Sequence, residues 1–213
     1  MGGDLPKQFI AVNDRCIIEY TIDAFERCEA VDEIIAVVHP DWVEHMRYVE
    51  SCNEWSKFAK IVAGGAERYM STLEAIKALV DEPDEAKVLL HDAVRPMVSQ
   101  QLICGVVEAL DECAAAGVAV SCTDTIWKVN DGVISTIPER RSLMRAQTPQ
   151  GFRLKVIREA YARAMEDAVI PVTDDCGMVL KYMPEVEIHV VEGDERNIKV
   201  TYPQDLENLK MRR

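Results

Sequence analysis

"DEIIAVVHPDWVEHMRYVESC" (32–52) is the stretch on which the fold of this chain turns. Residues 32–39 hold a short, nearly unbroken run of aliphatic side chains, which reads as a strand buried on both faces. After His39 the period changes. Asp41 is a candidate N-cap, and from there to Cys52 apolar residues recur at helical spacing. The same exchange repeats along the chain. "KIVA" (60–63), "KVLLH" (87–91) and "GVAVSC" (117–122) read as further strands. Residues 15–28, 71–80 and 100–116 carry helical patterns, the second with Ser71 or Thr72 at its start. Continuous apolar strands alternating with helices imply an α/β domain, its mostly parallel sheet covered by helices on both faces.

The regularity breaks after Thr123. "TIWKVNDGVISTI" (125–137) alternates around Asn130-Asp131-Gly132, a strong hairpin signal. A projecting arm and an ordinary edge hairpin both fit this local pattern. Helical spacing returns at 153–167 and 174–183, followed by a strand at 186–193. No repeat, low-complexity tract or linker interrupts residues 1–213, which read as one domain. A doubly wound nucleotide-binding sheet normally opens with a strand running into a Gly-rich phosphate loop. No strand precedes Gly2-Gly3 here, and the expectation is that this strand and loop are missing at the N-terminus.

At 213 residues the chain can bury a full core without disulfide or metal staples. Its 24 basic and 37 acidic side chains give a formal net charge of −13, which argues against a nucleic-acid polymer as partner. A small phosphorylated ligand held by a few converging cations is compatible with that charge. The apolar runs fall far short of the roughly 20 residues of a membrane span, and no export leader is visible. Seven scattered cysteines with no Cys-x-x-Cys pair fit reduced thiols in a cytoplasmic protein.

Ligands of an open α/β sheet bind at the carboxyl ends of its strands. There the chain places "AGGAERYMS" (63–71), "HDAVRP" (91–96) and "CTDT" (122–125). Gly64-Gly65 permits close backbone approach to a flat ring or a phosphate, although two glycines alone also make an ordinary tight turn. Arg68 and Ser71 lie at a helix start, where backbone N–H groups favour anions. Asp92 is a hard oxygen ligand of the kind Mg²⁺ takes, water and substrate phosphate completing its shell; the alternative is a charge pair with Arg95. His91 has no second His or Cys at ligand spacing and reads as a packing or hydrogen-bonding residue. Lys7, Arg95, Arg140, Arg141 and Lys199 adjoin turns and, taken singly, read as solvated surface. No Ser-His-Asp or Cys-His set, glycosidase carboxylate pair, full Gly-x-Gly-x-x-Gly or Walker lysine is present. A phosphate nucleophile would explain that, being already anionic near neutral pH. Catalysis would then consist of bringing two polyanions together and neutralising the charge that builds in transfer.

Taken jointly, "LPKQF" (5–9), "GGAER" (64–68) with Ser71, "HDAVRP", "TDT" (123–125), "RAQTPQGF" (145–152), "VTDD" (172–175) and "NIKVT" (197–201) form one ordered series. That series resembles the cytidylyltransferases that make CDP-polyols, acting on 2-C-methyl-D-erythritol 4-phosphate or ribitol 5-phosphate, and spans essentially the whole chain. The resemblance implies a Rossmann-like nucleotidyltransferase fold, with segment 123–142 as a β-arm that interlocks with a second copy in a homodimer. It implies a reaction of CTP with a polyol phosphate giving CDP-polyol and pyrophosphate, with Mg²⁺ as cofactor. By position, Lys7 and Lys199 would be cations at the α-phosphate and Asp92 would hold Mg²⁺. Gly65, Ala66 and Ser71 would read the cytosine edge, with Arg68 closing that pocket. Arg95, Thr125, Arg140, Thr148 and Thr173 would hold the polyol phosphate. Val94 and Ala66, with segments 38–46 and 134–140, lean towards the ribitol branch. D-Ribitol 5-phosphate is therefore the first expected acceptor, and methylerythritol phosphate the alternative. A non-catalytic nucleotide-binding paralogue is a third expectation, supported only by the missing loop.

Overall fold

The computed structural model describes residues 5–210. Gly2-Gly3, and the missing-loop expectation placed on them, lie outside the described residues. A 3-10 turn (Lys7–Phe9) leads into a two-residue antiparallel ladder of β1 (Ala11–Val12) and β2 (Arg15–Cys16). Helix α1 (Ile17–Glu26) starts on a reciprocal cap in which Cys16 N–H donates to Glu19 Oε2 at 2.6 Å. Strand β3 (Ile34–Val38) and helix α2 (Val43–Ser51) form the opening βα unit. The expected cap at Asp41 is not the one used. Asp41 N–H donates instead to His39 Nδ1, and a 3-10 turn over Pro40–Trp42 moves the cap to Trp42, one residue later.

Strand β4 (Phe58–Ala63) pairs parallel to β3, and α3 (Arg68–Ala78) follows the paired glycines. Next come β5 (Lys87–Leu90), α4 (Gln100–Glu112) and β6 (Ala115–Ser121), where Ala115 and Ala116 belong to the strand and not to the helix expected over 100–116. Ser99 Oγ caps α4 by accepting from Leu102 N–H at 3.2 Å. After the hairpin of β7 (Lys128–Asn130) and β8 (Val133–Thr136) the chain forms β9 (Met144–Arg153), α5 (Leu154–Ala164), α6 (Asp175–Tyr182), β10 (Ile188–Glu192) and α7 (Pro203–Lys210).

The main sheet runs β10-β6-β9-β5, with β6 and β9 as its inner strands. Strand β9 lies between β6 and β5 and is antiparallel to both; β10, β6 and β5 share one direction, so the sheet is mostly parallel with one reversed strand. The sequence pattern hid β9 because "RAQTPQGFR" holds a proline and a glycine, which usually argue against an inner strand. The ladder resolves the conflict with an irregularity. Its register against β6 steps from Gly117 opposite Gln150 to Ala119 opposite Ala146, so Thr148 and Pro149 stand outside regular pairing.

Helices cover both faces, as the alternation requires. On one side α1 and α4 bring Phe25, Leu102, Ile103, Val106 and Leu110 against Ala116 and Val118 of β6. On the other, α3, α5 and α6 bring Ile76, Ile157, Tyr161, Met178 and Val179 against Ala115 and Phe152. The period of two along β6 sorts neighbours onto opposite faces. Each fully buried aliphatic or aromatic side chain contributes about 1.5–3 kcal/mol on burial. The hairpin takes no part in this core. Every residue from 123 to 137 is exposed, and the turn places Asp131 at φ 48° and Gly132 at φ 80°, as a tight two-residue hairpin turn demands.

Candidate functional site

Asp92 lies two residues past the end of β5, and its backbone N–H donates to Thr148 Oγ1 at 3.0 Å. Three cations converge on its carboxylate. Lys199 Nζ is 3.1 Å and Arg95 Nε 3.3 Å from Oδ2, while Arg68 Nε stands 4.0 Å from Oδ1. Burial alone would push this carboxyl up; Lys199, Arg68 and Arg95 outweigh it and hold Asp92 below the usual carboxylate range. Arg68 is shared with a second, fully buried carboxylate, Asp175, whose Oδ2 is 2.6 Å from Arg68 Nη2. Tyr161 donates its hydroxyl to Asp175 Oδ1 at 2.7 Å, and burial together with that charge raises the phenol. Three cations thus gather around Asp92 at the strand ends of an otherwise acidic chain. Such a cluster suits a polyanion.

Strand β9 holds the surrounding loops. Gln147, Thr148 and Gln150 are all buried polar residues. Gln150 Oε1 accepts from Asp175 N–H and Cys176 N–H, each at 3.0 Å, and Gln150 Nε2 donates to Asp174 Oδ2 at 2.8 Å. Gln147 Nε2 donates to Asp194 O at 2.9 Å. Thr148 joins Asp92 to His91, its Oγ1 lying 3.1 Å from His91 Nδ1. Burial lowers His91 to about 4, so near neutral pH the ring is uncharged. Nδ1 then accepts from the Thr148 hydroxyl, and Nε2–H donates to Arg95 O at 3.2 Å.

This geometry gives two of the expected acceptor residues partners within the protein. Thr148 and Arg95 were expected at the polyol phosphate. The single Thr148 hydroxyl proton is used on His91, and Arg95 directs Nε to Asp92 and Nη1 to Asn197 O at 2.8 Å. Both side chains are buried and face the protein, where they shape the Asp92 loop. The glycine pair is a close-packing requirement. A Cβ on Gly64 would lie 2.6 Å from Ser71 Oγ, and one on Gly65 would lie 2.2 Å from Met70 Cβ. Ser71 Oγ accepts from Gly65 N–H at 3.2 Å, tying the loop to the first turn of α3; the neighbouring Ala66 is exposed.

The remaining expected residues are not among the hydrogen-bond or ion-pair partners of Asp92. Lys7 sits on the 3-10 turn anchored by Phe9, which stacks on Trp42 with ring centroids 5.4 Å apart. Thr173 lines a small pocket with Arg68, Tyr69 and Tyr161. Thr125 and Arg140 are exposed at the base of the hairpin, Arg140 Nη1 donating to Thr123 O at 3.1 Å. Among the described residues no group of three His, Cys, Asp or Glu side chains is arranged to hold a metal. A Mg²⁺ that arrives with phosphates needs only one or two protein carboxylates, and ionised Asp92 meets that need. Asp175, Gln147, Gln150 and Asn197 were not singled out from the sequence. All four lay inside recognised motifs, but only the structure shows what they hold.

The sequence matches the family described as IspD, 2-C-methyl-D-erythritol 4-phosphate cytidylyltransferase, over residues 1–211. A Thermobifida fusca (strain YX) protein of that name is 42% identical over 211 residues, covering 97% of this chain and 85% of its own length. A Haemophilus influenzae protein named bifunctional ribulose 5-phosphate reductase/CDP-ribitol pyrophosphorylase is 39% identical over 208 residues, 97% of this chain but 44% of its own length. Among solved structures, the 4-diphosphocytidyl-2C-methyl-D-erythritol synthase of Anaerococcus prevotii DSM 20548 superposes with a TM-score of 0.86 at 30% identity, over 98% of this chain and 90% of that one.

Proposed function

The chain belongs to the 2-C-methyl-D-erythritol 4-phosphate cytidylyltransferase family of CTP-dependent nucleotidyltransferases, and on that premise we propose that methylerythritol phosphate is its acceptor. The observation that carries the proposal is the family match along residues 1–211. It displaces D-ribitol 5-phosphate as first acceptor, a lean that rested on Val94, Ala66 and two short segments. The ribitol reading keeps one support, the 39% identical Haemophilus influenzae relative.

In the proposed reaction an oxygen of the acceptor phosphate attacks the α-phosphorus of CTP, the bond to the bridging oxygen breaks, and pyrophosphate leaves. No protein base is required, because the nucleophile is already an anion. Lys199, beside Asp92, and Lys7 are proposed to neutralise charge on the phosphates in flight. Asp92 would hold Mg²⁺, which when bound supplies further charge neutralisation at the triphosphate. The backbone of Gly65 and Ala66, tied by Ser71, is proposed to read the cytosine edge, with Arg68 closing the pocket between Asp92 and Asp175. Thr125, Arg140 and Thr173 are proposed for the acceptor phosphate.

The exposed hairpin supports a homodimer as the working form. Ile126, Trp127, Val129, Val133, Ile134 and Ile137 place an exposed apolar surface on a segment that joins none of the hydrophobic core clusters among the described residues. A second copy is the proposed cover.

The test is pyrophosphate release from CTP and Mg²⁺ with methylerythritol phosphate and ribitol 5-phosphate in separate reactions. Release with the first is expected. Release with ribitol 5-phosphate alone would transfer the acceptor assignment, and silence with both would remove it.

A further inference from the structure

Asn197 is fully buried in the connection between β10 and α7, two residues before Lys199. Its Nδ2 donates to Thr148 O at 2.8 Å and to Gln147 Oε1 at 3.3 Å, so both amide protons go to β9. Two acceptors facing one atom identify that atom as the nitrogen. The Asn197 backbone carbonyl in turn accepts from Arg95 Nη1 at 2.8 Å, in the loop that carries Asp92. On the far side of Lys199, Val200 N–H donates to Val94 O at 2.9 Å. Lys199 is thus bracketed by two ties to the segment 94–95.

These ties explain a contact that would otherwise be weak. The Lys199 side chain is 47% exposed, and a half-exposed lysine reaching a carboxylate gains little while losing rotamer freedom. A backbone fixed on both sides removes part of that loss and keeps Nζ within reach of Asp92. The choice of asparagine follows from its donors. Aspartate would turn oxygen towards the oxygens of Thr148 and Gln147, and an apolar residue would leave the Thr148 carbonyl without this donor. Asn197 Oδ1 finds no partner among the described residues, a buried acceptor whose loss of water costs about 1–3 kcal/mol, so packing alone would not select an amide here.

We infer that Asn197 is a positioning residue whose side chain locks the loop of Lys199 to β9, beside the main-chain ties to segment 94–95, and thereby sets the lysine at the reacting phosphate. The inference rests on the cytidylyl-transfer reading for its catalytic consequence, but not for the lock itself. Two measurements separate them. In pyrophosphate-release kinetics, Asn197→Ala is expected to lower kcat about 10- to 100-fold, the range of a misplaced charge-assisted contact. In a Lys199→Ala background the same substitution is expected to change kcat less than about threefold, since residues acting as one unit are not additive. Equal losses in both backgrounds, or wild-type kcat in Asn197→Ala, would overturn the positioning role. The second measurement is acetylation of Lys199 by an N-hydroxysuccinimide ester, followed by mass spectrometry with exposed Lys77 as internal reference. Asn197→Ala should raise the Lys199 rate severalfold, and an unchanged rate would sink the lock. Asn197→Ser, which keeps one donor, gives the same readouts at reduced amplitude should the alanine variant not fold. If the wild-type protein transfers no cytidylyl group, the reaction reading fails alone and the acetylation rates still decide.

Discussion

Asp92 concentrates the chemistry into one side chain. It is the anion at which Lys199, Arg95 and Arg68 meet, and its carboxyl is held in the ionised state by them. Asp92→Asn keeps the shape and removes the charge. Turnover is expected to fall by about 10²–10³-fold, the scale of a lost electrostatic contact in a preorganised site, with the far-ultraviolet dichroism unchanged. Near-wild-type pyrophosphate release would end the metal-holding assignment. His91 makes a different prediction, on stability. Its folded value of about 4 lies below the ordinary 6.5, so between those values the unfolded chain binds a proton that the folded chain refuses. Stability therefore falls as pH drops from 6.5 to 4 and loses nothing more from His91 below that. The full loss is on the order of 3 kcal/mol. Urea titrations across this window should show it, and His91→Gln should flatten that part of the profile. Both residues were visible in "HDAVRP"; that His91 is a neutral bridge between Thr148 and Arg95 was not, because a ring nitrogen's partner comes from 57 residues away.

At the scale of elements, β9 does what no local pattern announced. It is an inner antiparallel strand that uses Gln147, Thr148 and Gln150 to hold the loops at 194, 91–92 and 174–176. Gly151 is there for clearance, since a Cβ would lie 2.5 Å from Val106 Cγ1 and 3.0 Å from Leu110 Cδ1 of α4. Gly151→Ala should destabilise the fold by about 1–3 kcal/mol through overpacking, measured by urea unfolding with the slope unchanged. Gly65→Ala tests the other close approach, between the loop after β4 and α3. With Met70 Cβ 2.2 Å from the added carbon, the loop must shift. The KM for CTP should rise about 10-fold or more, as loss of one well-placed hydrogen bond would cause, with the KM for acceptor little altered. Equal KM values for CTP would separate this loop from base recognition. Strands β3 to β6 were legible as continuous apolar runs, and helices α1 to α6 through their period of 3.6. Strand β9 was not, since a proline and two glutamines mask the pattern and only the ladder irregularity makes room for them.

For the whole molecule, the exposed hairpin and the strand-end site belong to one question. If the apolar faces of β7 and β8 meet a second copy, Trp127→Asp should halve the mass seen in sedimentation and lower acceptor-dependent turnover with it. A wild-type protein that sediments as a monomer would remove the arm's proposed role. Arg140→Ala should raise the KM for the acceptor about 10- to 100-fold through loss of a charge-assisted phosphate contact, leaving the KM for CTP unchanged. No helix among the described residues is long and apolar enough to cross a membrane. What the sequence determined by itself was the α/β alternation, the hairpin at Asn130-Asp131-Gly132, and the order of motifs that marks the family. Each is written in neighbouring residues, as a period, a turn dipeptide or a motif. Only the tertiary structure decided that β9 enters the sheet reversed, that Arg95 and Thr148 turn inward, and that Asn197 ties Lys199 to Asp92 across about a hundred residues of chain. Those facts depend on which buried donors and acceptors find one another once the sheet is assembled, and a burial requirement of that kind leaves no period in the chain.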